Sequence, residues 1–407
     1  MNKRSLLNRR VIVATVSAVL MVGIVGQAAA QSAHQRAEER RARAAQGSGE
    51  KASAKADEYP NATRQSPEAK ATAKVTPKLQ KMMKAYDDDK GADARAIADE
   101  IIANPAANAY DHSFAAQIAA QVAYEADDTA GAMGYLQKAI DFNGLDNNGH
   151  YGAMYMLAQL QLQEDQYDAS LKTLDRFFAE TKSAKPEQLV IKGNALYRLD
   201  RFPEAATVLK QAIDAAGPAA KPEWQQLLMA SYAEAGNGAE AVKIAETVAA
   251  KTPNDKRAQL NLAAVYMQND QMDKAAGVME KLRAAGQLTE DKEYRQLYAT
   301  YLNMDGKEKQ AISVINEGLE KGILKPDYQV YVGLAQAYYY SDDFSKAIDT
   351  YKKAAPMAPD GETYLNLARL LWQEDRIPEA KEAAKQAVAK GVKKPDDAKK
   401  ILALPAK

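Results

Sequence analysis

The sequence predicts an all-α fold, a solenoid of about nine stacked helical hairpins closed by a C-terminal capping helix. Three observations predict it. A small residue recurs at Ala94, Ala132, Ser170, Ala205, Ala241, Ala275, Ala311, Ala347 and Ala380, roughly every three dozen positions. Such a period marks modules that bury their apolar faces on their neighbours. Turn clusters separate the modules, at Asn147-Asn148-Gly149, Gly217-Pro218, Gly236-Asn237-Gly238, Thr252-Pro253-Asn254-Asp255, Gly286 and Pro359-Asp360-Gly361. These residues end one helix and allow another to begin. No stretch alternates β-branched and polar residues as a strand would.

Taken in order, the chain begins with Lys3, Arg4, Arg9 and Arg10, an apolar run over residues 11–26, and Ala28-Ala29-Ala30 before Gln31. That reads as a secretory signal peptide over residues 1–30, cut between Ala30 and Gln31, with an uncleaved membrane anchor as the alternative. The expected location is the periplasm of a bacterial cell. Lipid modification at the cleavage point would require a cysteine, and the chain has none. Residues 31–74 turn to Ala, Lys, Glu, Arg, Ser and Gln with almost no large apolar residues, a composition that predicts a disordered tether. A second reading makes Arg36, Arg40, Arg41 and Arg43 a basic arm for an acidic partner or lipid surface, diluted by Glu38 and Glu39.

The solenoid is expected over residues 75–404. Its best module carries Tyr331, Leu334, Ala335, Tyr338, Ala347, Tyr351, Ala354 and Pro359, offsets that make sense on two close helices ending at a turn. Asp200-Arg201-Phe202-Pro203-Glu204-Ala205 and Asp375-Arg376-Ile377-Pro378-Glu379-Ala380 are near copies in corresponding modules. Each puts Pro in the first helical turn, where its missing N–H costs nothing, and Glu at the positive end of the helix dipole. The first module departs most, with Ala85 where an aromatic is expected and Ile101 in place of a small residue. At the far end, Pro395 opens a capping helix whose Ile401, Leu402 and Leu404 cover the last module.

This pattern resembles the tetratricopeptide repeat family, of an exported Gram-negative type. The resemblance also rests on Tyr364, Leu367, Ala368, Ala380, Ala384 and Ala387 in module nine, on Leu262, Ala263, Tyr266, Ala275 and Met279 in module six, and on Leu189, Gly193, Ala205, Leu209 and Ala212 in module four. It implies a right-handed superhelix whose first helices line a concave groove. Places two, five, nine, twelve and thirteen of each repeat would face that groove. Carried over, these are Tyr124, Gln159, Gln163, Asn194, Tyr197, Arg198, Gln226 and Glu234, then Met267, Gln268, Thr300, Asn303, Gln336, Tyr339, Tyr340, Arg369 and Trp372. Amides can pair with a peptide backbone and Tyr or Trp give broad contact at low entropic cost, so a protein or peptide partner in the cell envelope is expected. Basic places are too sparse, with Arg198 and Arg369 far apart, for a clamp on a terminal carboxylate.

Lys plus Arg number 54, as do Asp plus Glu, and the charges are interspersed. This gives no basic face of the kind that nucleic acid requires. The expected membrane contact is through the N-terminal segment alone, if uncleaved. His34, His112 and His150 lack metal-ligand spacing and read as surface residues. Asp87-Asp88-Asp89 and Asp342-Asp343 suit helix starts and lack the alternation of a calcium loop. No phosphate loop or nucleophile elbow occurs, so no catalytic residue, metal or cofactor is expected. The expected role is a non-catalytic periplasmic adaptor in envelope assembly or energy-coupled uptake. A glycan-associated role in polysaccharide export or cell-wall synthase activation is the alternative, since aromatics and amides also stack and bond to sugars.

Overall fold

The computed structural model describes residues 57–393 and 395–405. The signal segment, the Ala30–Gln31 bond, the basic arm and His34 lie outside the described residues. Those residues form helices joined by short turns, with no strand among them. The pairs are α1 (Thr76–Asp87) with α2 (Gly91–Ile102), α3 (Ala109–Glu125) with α4 (Thr129–Phe142), α5 (Asn147–Gln163) with α6 (Tyr167–Thr181), and α7 (Pro186–Arg198) with α8 (Phe202–Ala216). They continue with α9 (Pro222–Glu234), α10 (Gly238–Lys251), α11 (Lys256–Gln268) with α12 (Met272–Ala284), and α13 (Asp291–Leu302) with α14 (Glu308–Glu320). Last come α15 (Tyr328–Tyr340) with α16 (Phe344–Met357), α17 (Glu362–Gln373) with α18 (Ile377–Ala389), and the cap α19 (Pro395–Leu402). Two compact units divide them, one ending at Asn237 and one beginning at Gly238, so α9 belongs to the first and α10 to the second. Within each unit every helix packs on the next in sequence.

The recurring small residues explain that packing. All nine, from Ala94 to Ala380, are 0% exposed. Ser170 differs from the rest by a hydroxyl, which donates to the carbonyl of Ala158 on the facing helix at 2.7 Å, so its polar atom is satisfied where burial would otherwise be costly. Tyr151, Met154, Phe177, Leu136 and Ile101 fill the core of the first unit. Met279, Tyr294, Leu297 and Ile315 fill one core of the second, and Tyr351, Leu365, Leu370 and Ala384 another toward the cap. Ile101, the large residue in a small place, is fully buried in the first unit's core. Between modules of the second unit, Tyr266 on α11 donates to Glu246 on α10 at 2.7 Å and Tyr301 on α13 to Glu280 on α12 at 2.8 Å. Burial and the bonded carboxylate push the Tyr266 phenol up to about 12.

A second periodic device fixes the turn inside each hairpin. Asp89, Asp127, Asp165, Asp200, Gly236, Asp270, Gly306, Asp342 and Asp375 all have positive φ, each five residues before the small residue of its module. Asp tolerates the left-handed region better than most side chains and Gly is not penalised there. The next residue's N–H then reaches back five residues, as from Lys90 to the carbonyl of Ala85, Arg201 to Leu196 and Arg376 to Leu371, at 2.8–2.9 Å. This closes the helix in a Schellman arrangement. The acidic turns therefore end helices as well as start them: Asp89 and Asp342 close first helices, while Asp343 caps α16 through the N–H of Lys346 at 3.2 Å. The near-copied helix starts also match, with Arg201 gripping Glu204 at 2.7 and 2.6 Å and Arg376 gripping Glu379 at 2.6 and 2.7 Å.

Three expectations need correction. Residues 57–74, assigned by composition to the tether, pack on the first unit as an extended strap. Tyr59 is 5% exposed and meets Tyr151 and Phe177 edge-on, with ring centroids 5.3 and 5.6 Å away. Arg64 donates to the Asn143 side chain at 2.7 Å, the Asn147 side chain at 2.8 Å and the carbonyls of Asn143 and Leu145 at 3.0 and 2.8 Å. One buried aromatic and one forked cation are the main side-chain anchors of a segment whose average composition looks unstructured. His112 and His150 are not surface residues either. His150, on α5, is 0% exposed and its pKa is pushed down to about 4 by burial and by Arg64 and Arg176, while His112 is half-buried and stacks on Phe142 at 4.7 Å. Finally, Asn147-Asn148-Gly149 begins α5, capped by Asp146 at 2.7 Å, and the turn lies at Asn143 with φ 56°.

Candidate partner-binding groove

Within each unit, first helices of successive modules touch one another directly. Tyr86 on α1 donates to Glu125 on α3 at 3.0 Å, the Thr300 hydroxyl on α13 lies 3.3 Å from the Met267 sulfur on α11, and Tyr339 on α15 reaches Gln373 on α17 at 3.2 Å. That contact decides which predicted groove residues stay open. Place thirteen, in the last turn of each first helix, remains the most accessible: Gln163, Arg198, Glu234 and Gln268 are exposed and Tyr340 is half-buried.

Places nine and twelve lie toward neighbouring first helices, and most of them are partly covered. In the first unit, Gln159 is exposed, Tyr124 is half-buried and Asn194 is 6% exposed, while Gln226, at place five, is half-buried. Tyr197 is half-buried, lies edge-on to Phe202 at 5.3 Å, and has its phenol raised by burial. Arg198 lies 5.8 Å over the ring of Tyr167. In the second unit, Asn303 is exposed, Gln336, Met267 and Trp372 are half-buried, and Thr300 is 3% exposed.

Asn194, Thr300 and Tyr339 are therefore corrected from groove residues to packing residues. For Tyr339 the roles in the aromatic run reverse. Tyr338, the aromatic of the repeat pattern, is half-buried, whereas Tyr339 is 6% exposed against Tyr340 and Phe344. Its place on α15 faces the following first helix, which supplies Gln373. Arg369 is likewise committed: its guanidinium pairs with Asp397 of the cap at 2.7 Å and with Asn366 at 3.3 Å. Trp372 and Met267 pack against the core clusters of the second unit, so each keeps part of its surface for the fold.

The groove register also places residues in the first module that the sequence reading passed over. Counting back from Ala94 sets Leu79 and Met83 at places five and nine, and from Ala132 sets Phe114 at place two. These three, with Tyr110, Gln80 and Lys84, line an open cleft of about 520 Å³ between α1 and α3. Tyr110 and Phe114 stack with ring centroids 5.7 Å apart and planes within 9°. Its signal was present in the register but hidden because Ala85 breaks the pattern of that module. Apolar and aromatic groups share the cleft wall with Thr76, Gln80, Lys84, Asp87 and Asp88, a mixed lining that suits a partner's apolar side chain flanked by polar or charged groups. Among the described residues no group of His, Asp or Glu is placed to hold a metal ion, and no helix is long and apolar enough to cross a membrane.

A model of a tetratricopeptide repeat-like domain matches residues 11–230, and models of the tetratricopeptide repeat match residues 232–301 and 328–360. The first match begins within the apolar run and includes the strap. No curated protein matches the chain. Among solved structures, a tetratricopeptide repeat protein from Parabacteroides merdae is 15% identical, covering 63% of this chain and 98% of its own, with a TM-score of 0.40. The C-terminal part of a TPR repeat-containing protein from Cytophaga hutchinsonii is 17% identical, covering 61% of this chain and 100% of its own, with a TM-score of 0.48. The recurring buried small residues, the left-handed turn ahead of each and the family match over more than half the chain lead to one assignment: this chain belongs to the tetratricopeptide repeat family.

Proposed function

We propose that the protein is a non-catalytic exported adaptor that holds a segment of a protein partner against its first helices. Tetratricopeptide repeats generally serve protein–protein interaction, and the observation that carries the reading here is the cleft of Leu79, Met83, Tyr110 and Phe114. It opens in the groove register, where a partner's apolar anchor would be desolvated, and exposed amides at Gln159 and Gln163 in the same unit suit a backbone or polar flank. The basic, apolar and small-residue order of residues 1–30 supports export to the periplasm and a partner in the cell envelope.

The test is capture from envelope extract by the purified chain, followed by identification of the bound protein. Met83→Glu with Phe114→Glu is expected to abolish capture while helical content holds, because a charge in the cleft would be buried by the partner. Undiminished capture by that variant would overturn the assignment of the groove. The export part is separate: the mature chain from cells is expected to begin at Gln31, and an intact chain that starts at Met1 and sediments with membranes would replace a cleaved leader by an anchor.

A further inference from the structure

The strap runs along the edge where one module hands over to the next, and at Ala71, beside Tyr110, it borders the cleft between α1 and α3. Its partners are the start of α3, the end of α4, the start of α5, the end of α6 and the start of α7. The backbone N–H of Thr63 donates to the carbonyl of Glu180 at 2.9 Å, and Arg64 takes the carbonyls of Asn143 and Leu145. The N–H of Thr72 bonds the carboxylate of Asp111 at 3.1 Å, and Asn108 bonds the carbonyl of Lys70 at 2.8 Å. Glu58 pairs with Lys185 at 3.2 Å. Most of these bonds use main chain of the strap or of a helix end, where carbonyls without intrahelical partners seek donors. Such contacts are indifferent to the sequence of the bound segment; buried Tyr59 and forked Arg64 supply most of the side-chain selection, beside the contacts of the exposed Glu58, Thr63 and Ser66.

The fit is also incomplete. Between residues 57 and 74 Tyr59 is the one buried side chain. Pro67, Ala71, Thr72 and Ala73 leave a crevice of about 480 Å³ against Asn108, Tyr110 and Gly144. The chain's own segment therefore offers small residues where the edge has room for large ones.

We propose that this edge is a second peptide-binding site, one that takes an extended segment of a partner protein carrying an aromatic residue five positions ahead of an arginine and larger apolar residues where the strap has Ala71 and Ala73. Residues 57–74 hold the site closed in cis. A covalently attached occupant acts at an effective concentration in the millimolar range, so a partner must bind better than the strap to displace it. Larger side chains filling the crevice are the means by which it does so.

The experiment uses the full chain with Tyr59→Ala and Arg64→Ala, which frees the strap, and a fluorescent peptide copying residues 57–74. The peptide is expected to bind this variant saturably and to bind the unaltered chain at least about 100-fold more weakly, as an effective concentration far above its dissociation constant requires. A peptide with leucine replacing Ala71 and Ala73 is expected to bind about tenfold more tightly than the plain copy, and one with alanine replacing Tyr59 to lose binding. Should the double variant lose helix, Arg64→Ala alone serves. No saturable binding to a variant with intact helix and a released strap, as read by amide exchange, would overturn the proposal. A plain copy that outbinds the leucine peptide, or dimers of the unaltered chain that the peptide dissolves, would overturn the partner in favour of a site made for the chain's own segment.

Discussion

Replacing Tyr59 by alanine tests whether the strap is part of the folded first unit. The ring is 5% exposed, sits edge-on to Tyr151 and Phe177, and has the Lys185 ammonium 5.1 Å from its centre. Truncating a buried aromatic to alanine costs roughly 3–5 kcal/mol, including any edge-to-face attraction. This ring lies at the rim of the unit, where the vacated space can fill with water, so a loss of about 3 kcal/mol is expected. Its hydroxyl accepts a bond of 3.3 Å from Gln188, long for a hydrogen bond, so Tyr59→Phe is expected to cost less than about 0.5 kcal/mol. Repeat arrays do not always unfold in one step. The assay is therefore urea-dependent amide exchange, with the loss expected in α5, α6 and the start of α7 and no change from α11 onward. A cost for Tyr59→Ala below about 1 kcal/mol would refute the reasoning, because no packed Tyr59 could then exist.

Three further outcomes follow from the fold. His150 is folded with a pKa near 4 against 6.5 in the open chain, so the unfolded state binds more protons between those values. Stability is then full above about pH 6.5 and falls by about 3 kcal/mol toward pH 4, against the charges of Arg64, Arg176 and Glu180 around the ring; His150→Phe should flatten that slope in denaturation curves. Asp200 has φ of 56°, so in thermal melts Asp200→Gly should be neutral or stabilising by up to about 1 kcal/mol while Asp200→Val costs about 1–2 kcal/mol. Tyr301→Phe removes the bond to Glu280 and should cost about 1 kcal/mol, with its loss of amide protection confined to α12 and α13.

The sequence makes the modules legible because the requirement behind them is local: helices approach closely only at a small residue, and each such residue from Ala94 to Ala380 is buried. The turn aspartates carry the same period, yet their meaning depends on backbone angles that composition does not display. The strap was hidden for another reason. Its attachment rests on Tyr59 and Arg64 meeting partners as far away as Gln188, and such distant contacts leave no period. The groove was read in register but without the cover of neighbouring first helices. Hence Asn194, Thr300 and Tyr339 proved buried and Arg369 engaged by Asp397, while place thirteen remained open. Trp372, half-buried against the core, serves packing as well as surface, so its truncation is expected to lower stability as well as to change the groove.

A photo-crosslinking scan in living cells tests the groove most directly. A photoreactive residue is placed in turn at Gln80, Met83, Gln163 and Arg198 on the first helices, and at Gln211 and Glu382 on exposed positions of second helices. Adducts to one partner protein are expected from the first-helix positions and not from α8 or α18. Equal yields from both sets, or adducts from Gln211 and Glu382 alone, would contradict it.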